Sequence, residues 1–188
     1  MRPLVCALFL TALTAAACTQ APAPPSPEYR PTATVKDIMD SVIDPGSDAL
    51  WDSVEIIATL EGTVHKEPKS DDDWKVLRRA AVSIVEASNL LLIPGRHVAK
   101  PGEKAEDARV DLNPDEIEAR IAKDLAAWTR HAHELHDAAM ESLKAVEARD
   151  VPALLNAGET LDAACESCHR NYWYRVAPAG DAAGSVRK

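Results

Sequence analysis

Cys165-Glu166-Ser167-Cys168-His169, near the C-terminus of this 188-residue chain, is the stretch that decides the fold. Two cysteines three positions apart lie one turn apart on the same face of a helix. Thiols at this spacing add to the two vinyl groups of one haem, and the histidine that follows offers an imidazole nitrogen to the iron. We therefore predict one covalent haem c on Cys165 and Cys168, with His169 as the proximal iron ligand.

Two other uses of a C-x-x-C pair fit the sequence less well. A structural zinc site needs four ligands, whereas the remaining cysteines, Cys6 and Cys18, both lie near the N-terminus. A thioredoxin-like redox pair lies beside a βαβ pattern, and we find no strand-like alternation in the chain.

The N-terminus has the features of an exported protein. Arg2 precedes an apolar stretch at residues 4–13 that is too short to span a membrane. Small residues then precede Cys18, so residues 1–17 are predicted to be a signal peptide that resembles those of bacterial lipoproteins, with Cys18 lipidated. Ordinary cleavage after Ala17 is the alternative. We expect the protein in the periplasm, anchored to a bacterial membrane by this lipid.

A proline-rich tether follows at residues 18–31. Such a segment is a semi-rigid spacer of about 3.1 Å per residue, which places the domain roughly 40 Å from a membrane. The domain is expected at residues 32–177, and a flexible tail at residues 178–188. The formal net charge of -9 argues against a nucleic-acid partner and suggests a basic redox partner, although acidity that serves only solubility is the alternative.

Apolar residues at helical spacing predict four helices. They lie at residues 35–57, 70–94, 113–146 and from 150 through the motif. The first is expected to break at Asp44-Pro45-Gly46 and to restart behind Ser47. In the fourth helix, both thiols continue the core-facing apolar stripe. The haem is therefore expected to lie inside the helical bundle. The predicted fold is all-α, an antiparallel up-down-up-down four-helix bundle.

That connectivity predicts the haem pocket. The end of the fourth helix lies beside the start of the first, the end of the second and the start of the third. Arg96 is expected to meet a haem propionate, and Gly158 either leaves room for the porphyrin edge or makes a close helix contact. The residues expected to line the pocket are Val35, Met39, Val42, Leu91, Leu92, Ile93, Ile117 and Ile121.

The sixth iron ligand is expected to be Met39, which lies on the core face of the first helix. A core-filling role for Met39, with an open five-coordinate iron, is one alternative, and His97 is another. His131, His133 and His136 are not expected to form a metal cluster, because they do not share one helix face.

This combination resembles the class II c-type cytochromes, the cytochrome c-prime group and its low-spin relatives. The likeness covers residues 32–175 and rests on the motif near the C-terminus, on Tyr172 three residues after His169, and on Met39. Trp173 departs from the family, which often has a basic residue there; the three aromatic residues that begin at Tyr172 are expected to pack over the haem edge or the bundle end.

The resemblance implies electron transfer by a monohaem protein that is not an enzyme. A five-coordinate protein that binds small gases such as nitric oxide is the alternative. Related bundles commonly pair through their first two helices, so a homodimer is also considered.

We expect the mature protein to begin at a lipidated Cys18 and to partition with membranes, because small residues precede this cysteine and a proline-rich tether follows it. Mass spectrometry of the mature N-terminus tests this. An unmodified Cys18, or cleavage further along at Ala23, contradicts lipidation while leaving export intact. Cys18→Ser is the matched control and should give exported protein without lipid.

Overall fold

The structure is a computed structural model that describes residues 29–175. The expected signal peptide, Cys18, most of the tether and the tail lie outside the described residues. Within them the protein is mostly helical, with one small two-stranded sheet. The described helices include none that is long and apolar enough to cross a membrane.

The first helical segment is continuous, and the predicted break at Asp44-Pro45-Gly46 is wrong. Helix α1 (Val35–Ile38) passes into a π-helical segment (Met39–Ile43) and then into α2 (Asp44–Trp51). The Asp44 N–H donates to the carbonyl of Met39, five residues back. This wider turn shifts the hydrogen-bond register, so Pro45 falls in the first turn of α2, where a missing N–H is tolerated.

The π-helical segment also changes which residues face the core. In a regular helix, residues five apart point about 140° away from each other. Ile38 and Ile43 are nevertheless both 2% exposed, because the wide turn brings them to the same face. Val42, which the regular period assigns to the core, is only half-buried.

A β-hairpin follows α2, and the expectation of a chain without strands is wrong. Strand β1 (Glu55–Thr59) pairs antiparallel with β2 (Gly62–Lys66). All ten strand residues are exposed. Because neither face is buried, the hairpin lacks the alternation of polar and apolar residues by which strands are recognised.

Helix α3 (Asp71–Leu90) begins where the sequence predicts. The Ser70 side chain accepts a hydrogen bond from the Asp73 N–H, and the Asp73 carboxylate accepts one from the Ser70 N–H. The helix ends shortly before Pro94-Gly95. Its predicted core stripe is buried at Trp74, Leu77, Ala81, Ile84, Ser88 and Leu91.

The third predicted helix is in fact two helices. Helix α4 (Pro114–Lys123) starts behind Asn113 as expected, but the chain breaks at Asp124 before α5 (Leu125–Ala148). Asp124 adopts a non-helical conformation, and its carboxylate accepts a hydrogen bond from the Ala127 N–H at 2.9 Å. A residue that sequence analysis places inside a helix is therefore the cap of a new one.

Helix α6 (Val151–Tyr172) carries the motif and begins behind Asp150, as predicted. Its C-terminal end is held by the loop between α3 and α4, because the Leu112 N–H donates to the carbonyl of Trp173 at 2.8 Å. The same loop binds the start of α1, where Val35 and Lys36 donate to the carbonyls of His97 and Val98. The loop therefore joins the start of α1 to the end of α6.

Two tryptophans connect neighbouring helices through their indole N–H groups. Trp51 donates to the carbonyl of Gly158 at 3.0 Å, and Trp128 donates to that of Leu91 at 3.2 Å. A Cβ at Gly158 would lie 3.2 Å from the Trp51 ring. Gly158 therefore makes the close helix contact that was one of its two expected roles.

Gly46→Ala should destabilise the protein by about 1 kcal/mol. A Cβ there would lie 2.9 Å from Cγ1 of buried Ile84 and 3.3 Å from the Ala80 carbonyl oxygen. Overpacking typically costs about 1–3 kcal/mol, which outweighs the gain of about 1 kcal/mol for alanine over glycine in a helix. Chemical denaturation measures the effect. Gly158→Ala is the control and should cost less, because its Cβ meets only the half-exposed Trp51 ring; a Gly46→Ala protein as stable as wild type contradicts the expectation.

Candidate functional site

A cavity of about 230 Å³ lies between the helices and is bordered by the functional residues of the motif. Cys165, Cys168 and His169 reach it from α6, and Met39 reaches it from the π-helical segment. The remaining wall is largely apolar. It is formed by Ile43, Asp44, Ser47, Trp51, Leu91, Trp128, His131, Ala132, Leu135, Asp162, Ala164 and Glu166.

The two thiols are presented as the motif predicts. Helix α6 is unbroken through Cys165 and Cys168, and both side chains are half-buried against the core. Both cysteines are free. They are therefore available to two separate partner atoms on the same side of α6.

The surroundings of the thiols do not suit a redox-active pair. Burial raises the pKa of Cys165 to about 11, with the carboxylates of Asp162 and Asp44 adding to the shift. Burial raises the pKa of Cys168 to about 12, with a further contribution from Cys165. Reactive C-x-x-C motifs have a thiol whose pKa is lowered, so that a thiolate forms near neutral pH. Here the environment acts in the opposite direction.

The two candidates for the sixth iron ligand, Met39 and His97, differ in whether they border the cavity. Met39 is half-buried, packs against the core and borders the same cavity as His169. π-helical turns within α-helices are frequent at functional sites. His97 is exposed and lies outside the cavity wall, where its Nδ1 atom is 2.8 Å from Oε1 of Glu118. The geometry therefore brings Met39, and not His97, to the cavity.

The wall of the cavity differs from the predicted pocket. Leu91 borders it as expected. Arg96 does not, since its guanidinium donates to the backbone carbonyls of Leu90 and Ala33 and so holds the loop. Seven other residues expected to contact the haem lie outside the cavity wall: Val35, Val42, Leu92, Ile93, Ile117, Ile121 and Tyr172.

The difference arises because α6 extends past the motif. Trp173, four residues after His169, is where the loop before α4 binds. The start of α4, including buried Ile117, therefore lies beyond the level of the thiols. The cavity is bordered by the first turns of α5 instead, from Trp128 to Leu135. Both of these residues belong to the predicted apolar stripe, so helical periodicity already places them on the core-facing side of the helix.

Tyr172 supports the wall from behind. Its ring makes edge-to-face contacts with Trp128 and His131, at centroid distances of 5.1 and 5.8 Å. Tyr172 is 5% exposed. Its aromatic neighbours, rather than the cavity, therefore fix its position.

Two buried polar atoms in the cavity wall lack a hydrogen-bond partner: Oγ of Ser47 and Nδ1 of His131. The Asn171 amide nitrogen donates to the Ser167 carbonyl at 2.8 Å and lies 3.2 Å from Nε2 of His131. Nε2 is then the acceptor, so the ring proton is on Nδ1. That atom is 2.9 Å from a Glu134 carboxylate oxygen, an ion-pair distance without a hydrogen-bonding angle.

These features fit a haem. Buried polar groups normally have a partner, and the carboxylates of a haem would be acceptors available to Ser47 and His131. The thiols, the imidazole and the Met39 thioether are the donor types of a c-type haem site. In residues 29–175 no three His, Cys, Asp or Glu side chains are grouped to hold a metal ion by themselves.

Carboxylates lie at the edge of the cavity. Partial burial raises the pKa of Asp44, and the positive charge of nearby His169 opposes that shift. Asp162 and Glu166 also border the cavity, and Glu166 pairs with Arg170 at 3.1 Å. The edge therefore carries negative charge.

Comparisons with protein families, with curated proteins and with solved structures find no match to this chain.

Proposed function

We propose that this protein is a monohaem c-type cytochrome that transfers electrons in the periplasm and is not an enzyme. The observation that carries the proposal is the single cavity bordered by both thiols of the motif, by His169 and by Met39. Four chemically specific groups from two parts of the chain face the same space. Cys165, Cys168 and His169 are neighbours on α6, and the packing of the helices adds Met39 from the π-helical segment.

The contacts between helices support the antiparallel four-helix bundle. Near one end of α3, Arg78 pairs with Glu147 late in α5; just past its other end, Leu91 accepts the hydrogen bond of Trp128 early in α5. Such crossed pairs are typical of antiparallel neighbours. In this fold α1 with α2, α3, α5 and α6 are the four members, and α4 is an addition before α5.

When bound, the haem supplies an iron that takes up and releases one electron. Cys165 and Cys168 would attach it to α6, so that it could not dissociate. His169 and Met39 would hold its iron, and both side chains are positioned by the packing of the helical segments that carry them. A thioether ligand raises the reduction potential relative to a second imidazole. Trp128, Ala132 and Leu135 of α5 give the cavity an apolar side, while the half-buried motif lies close to the surface.

The edge of the cavity supports a basic redox partner. Carboxylates of Asp44, Asp162 and Glu166 border the cavity, and this edge is the proposed route for electrons. A partner with a positive surface is steered to such an edge, and the association weakens as the salt concentration rises. The same acidity argues against a nucleic-acid partner. The lipid at Cys18 is proposed to hold the domain at a bacterial membrane.

A five-coordinate protein that binds small gases is the second candidate. The observation that favours it is the packing of Met39 against the core, which is also how a space-filling methionine behaves. An iron without the thioether would face an apolar wall with one buried N–H donor, that of His131. The optical spectrum separates the two candidates, because a six-coordinate iron with His and Met ligands is low-spin.

Replacing both Cys165 and Cys168 with serine should abolish covalent haem, because no thiol remains in the cavity. Acid-acetone extraction of the purified protein then removes all of its haem, whereas wild type keeps it. Circular dichroism should also show a poorly folded chain, since the core is built around the cofactor. Cys18→Ser is the control and should keep covalent haem; haem that resists extraction from the double variant contradicts the attachment.

Met39→Leu should convert a low-spin iron to high-spin, lower its reduction potential and create affinity for carbon monoxide. The change conserves volume, so we expect the stability to fall by less than about 1.5 kcal/mol. Met140→Leu is the matched control, because Met140 packs against the core but does not border the cavity. A wild type that is already high-spin, with a spectrum and potential that Met39→Leu leaves unchanged, makes gas binding the better proposal.

A further inference from the structure

The β-hairpin exposes apolar side chains that the rest of the fold does not use. Ile56, Ile57 and Val64 are 57%, 38% and 51% exposed, and Leu60 at the turn is fully exposed. Every residue of the two strands is exposed, so no helix covers either face. Ile57 and Val64 pair across the strands and share one face, whereas Ile56 lies on the other face. Apolar side chains exposed on both faces of a hairpin are consistent with an interaction surface.

An isolated two-stranded hairpin is marginally stable in water and gains stability from a third strand. At the turn, the Thr59 hydroxyl donates to the Gly62 carbonyl at 2.9 Å and accepts from the Glu61 N–H at 3.2 Å. Both outer edges of the hairpin are unpaired in the described sheet. Unpaired edges are templates for another strand.

We propose that the outer edge of β1 pairs antiparallel with β1 of a second copy, across a two-fold axis that passes through Ile57. The product is a continuous four-stranded sheet in the order β2, β1, β1, β2. This proposal concerns the assembly of the protein and is independent of its cofactor.

The register of the hairpin makes β1 self-complementary. Thr59 pairs with Gly62 across the turn, and Ile57 pairs with Val64. In a hairpin with a two-residue loop these are the hydrogen-bonded pairs, so the N–H and C=O groups of Ile56 and Ala58 point to the outer edge. A two-fold axis at Ile57 places Ile56 opposite Ala58 of the second copy. The outward N–H and C=O groups of one β1 strand then form hydrogen bonds with those of the other.

Side chains agree with this register. Ile57 and Val64 lie on the same face, so the four strands present a row of four aliphatic side chains in the order Val64, Ile57, Ile57, Val64. Glu55 lies opposite Thr59 of the second copy, and no like charges meet. Glu55 also faces Lys66 within each hairpin, so the charges beside the aliphatic row are balanced.

The sequences of the two strands favour β1 over β2 as the edge, and the self-complementary register of β1 favours a second copy as its occupant. Two molecules that each carry a formal net charge of -9 repel each other, so they associate where the surface is locally near neutral, as in this hairpin. β2 contains Gly62 and Lys66, and lysine protects edges against pairing. β1 contains neither lysine, glycine nor proline.

Sedimentation equilibrium of the purified holoprotein should give a dimer. Ile57→Asp should give a monomer, because two carboxylates would face each other at the axis. Thr63→Asp is the matched control on the opposite face and the other strand, and should remain a dimer. Far-ultraviolet circular dichroism shows that each variant is folded. A monomeric wild type overturns the proposal, and so does an Ile57→Asp protein that remains dimeric.

Cross-linking tests the register itself. Opposed residues of a non-hydrogen-bonded antiparallel pair have Cα atoms about 4.5 Å apart, within the range of a disulfide. Ile57→Cys, in a Cys18→Ser background, should therefore form a disulfide-linked dimer on mild oxidation. Val64→Cys should not, because its two copies would be three strand spacings apart, roughly 14 Å. Cross-linking of Val64→Cys as efficient as that of Ile57→Cys overturns the β1 interface.

Discussion

The fold depends on one geometric constraint, that α6 stays helical through Cys165 and His169. Only a helix presents two thiols one turn apart on one side with an imidazole directly after them. Asp150 caps the start of α6, and the loop that binds Trp173 holds its end. The neighbouring helices leave a cavity opposite this one face, and glycines at close contacts allow the rest of the core to pack tightly around it. The proposed chemistry therefore follows from the continuity of a single helix.

Helix starts were predictable because a cap is a local interaction. The side chains of Ser70 and Asp150 bond backbone groups only three residues away, so their signal is contained in a few letters of sequence. The break at Asp124 uses the same interaction, but this residue also suits the exposed face of a helix. The hairpin escaped recognition for another reason: strands that bury no face need no alternation, and their sequence resembles a loop.

That Cys165, Cys168 and His169 border one cavity agrees with the prediction from their spacing, whereas most of the wall could not be predicted. Cys165, Cys168 and His169 are recognisable from spacing alone. Which aliphatic residues share their level depends on where the loop docks on Trp173, and that contact joins residues 61 positions apart. Helical periodicity gives the face of a residue correctly but leaves its height along the bundle undetermined.

The π-helical segment has a consequence for how this sequence can change. Residues 35–38 and 44–51 each follow a regular helical period, but the two periods are out of phase by the one residue that the wide turn absorbs. Losing a single residue from Met39–Ile43 would let the wide turn close into a regular α-helical turn, with Ile38 and Ile43 four positions apart and still on one face. Gaining a further residue would instead rotate Val35 and Ile38 by about 100° relative to α2 and take both out of the core. The joint can therefore lose a residue more easily than it can gain one.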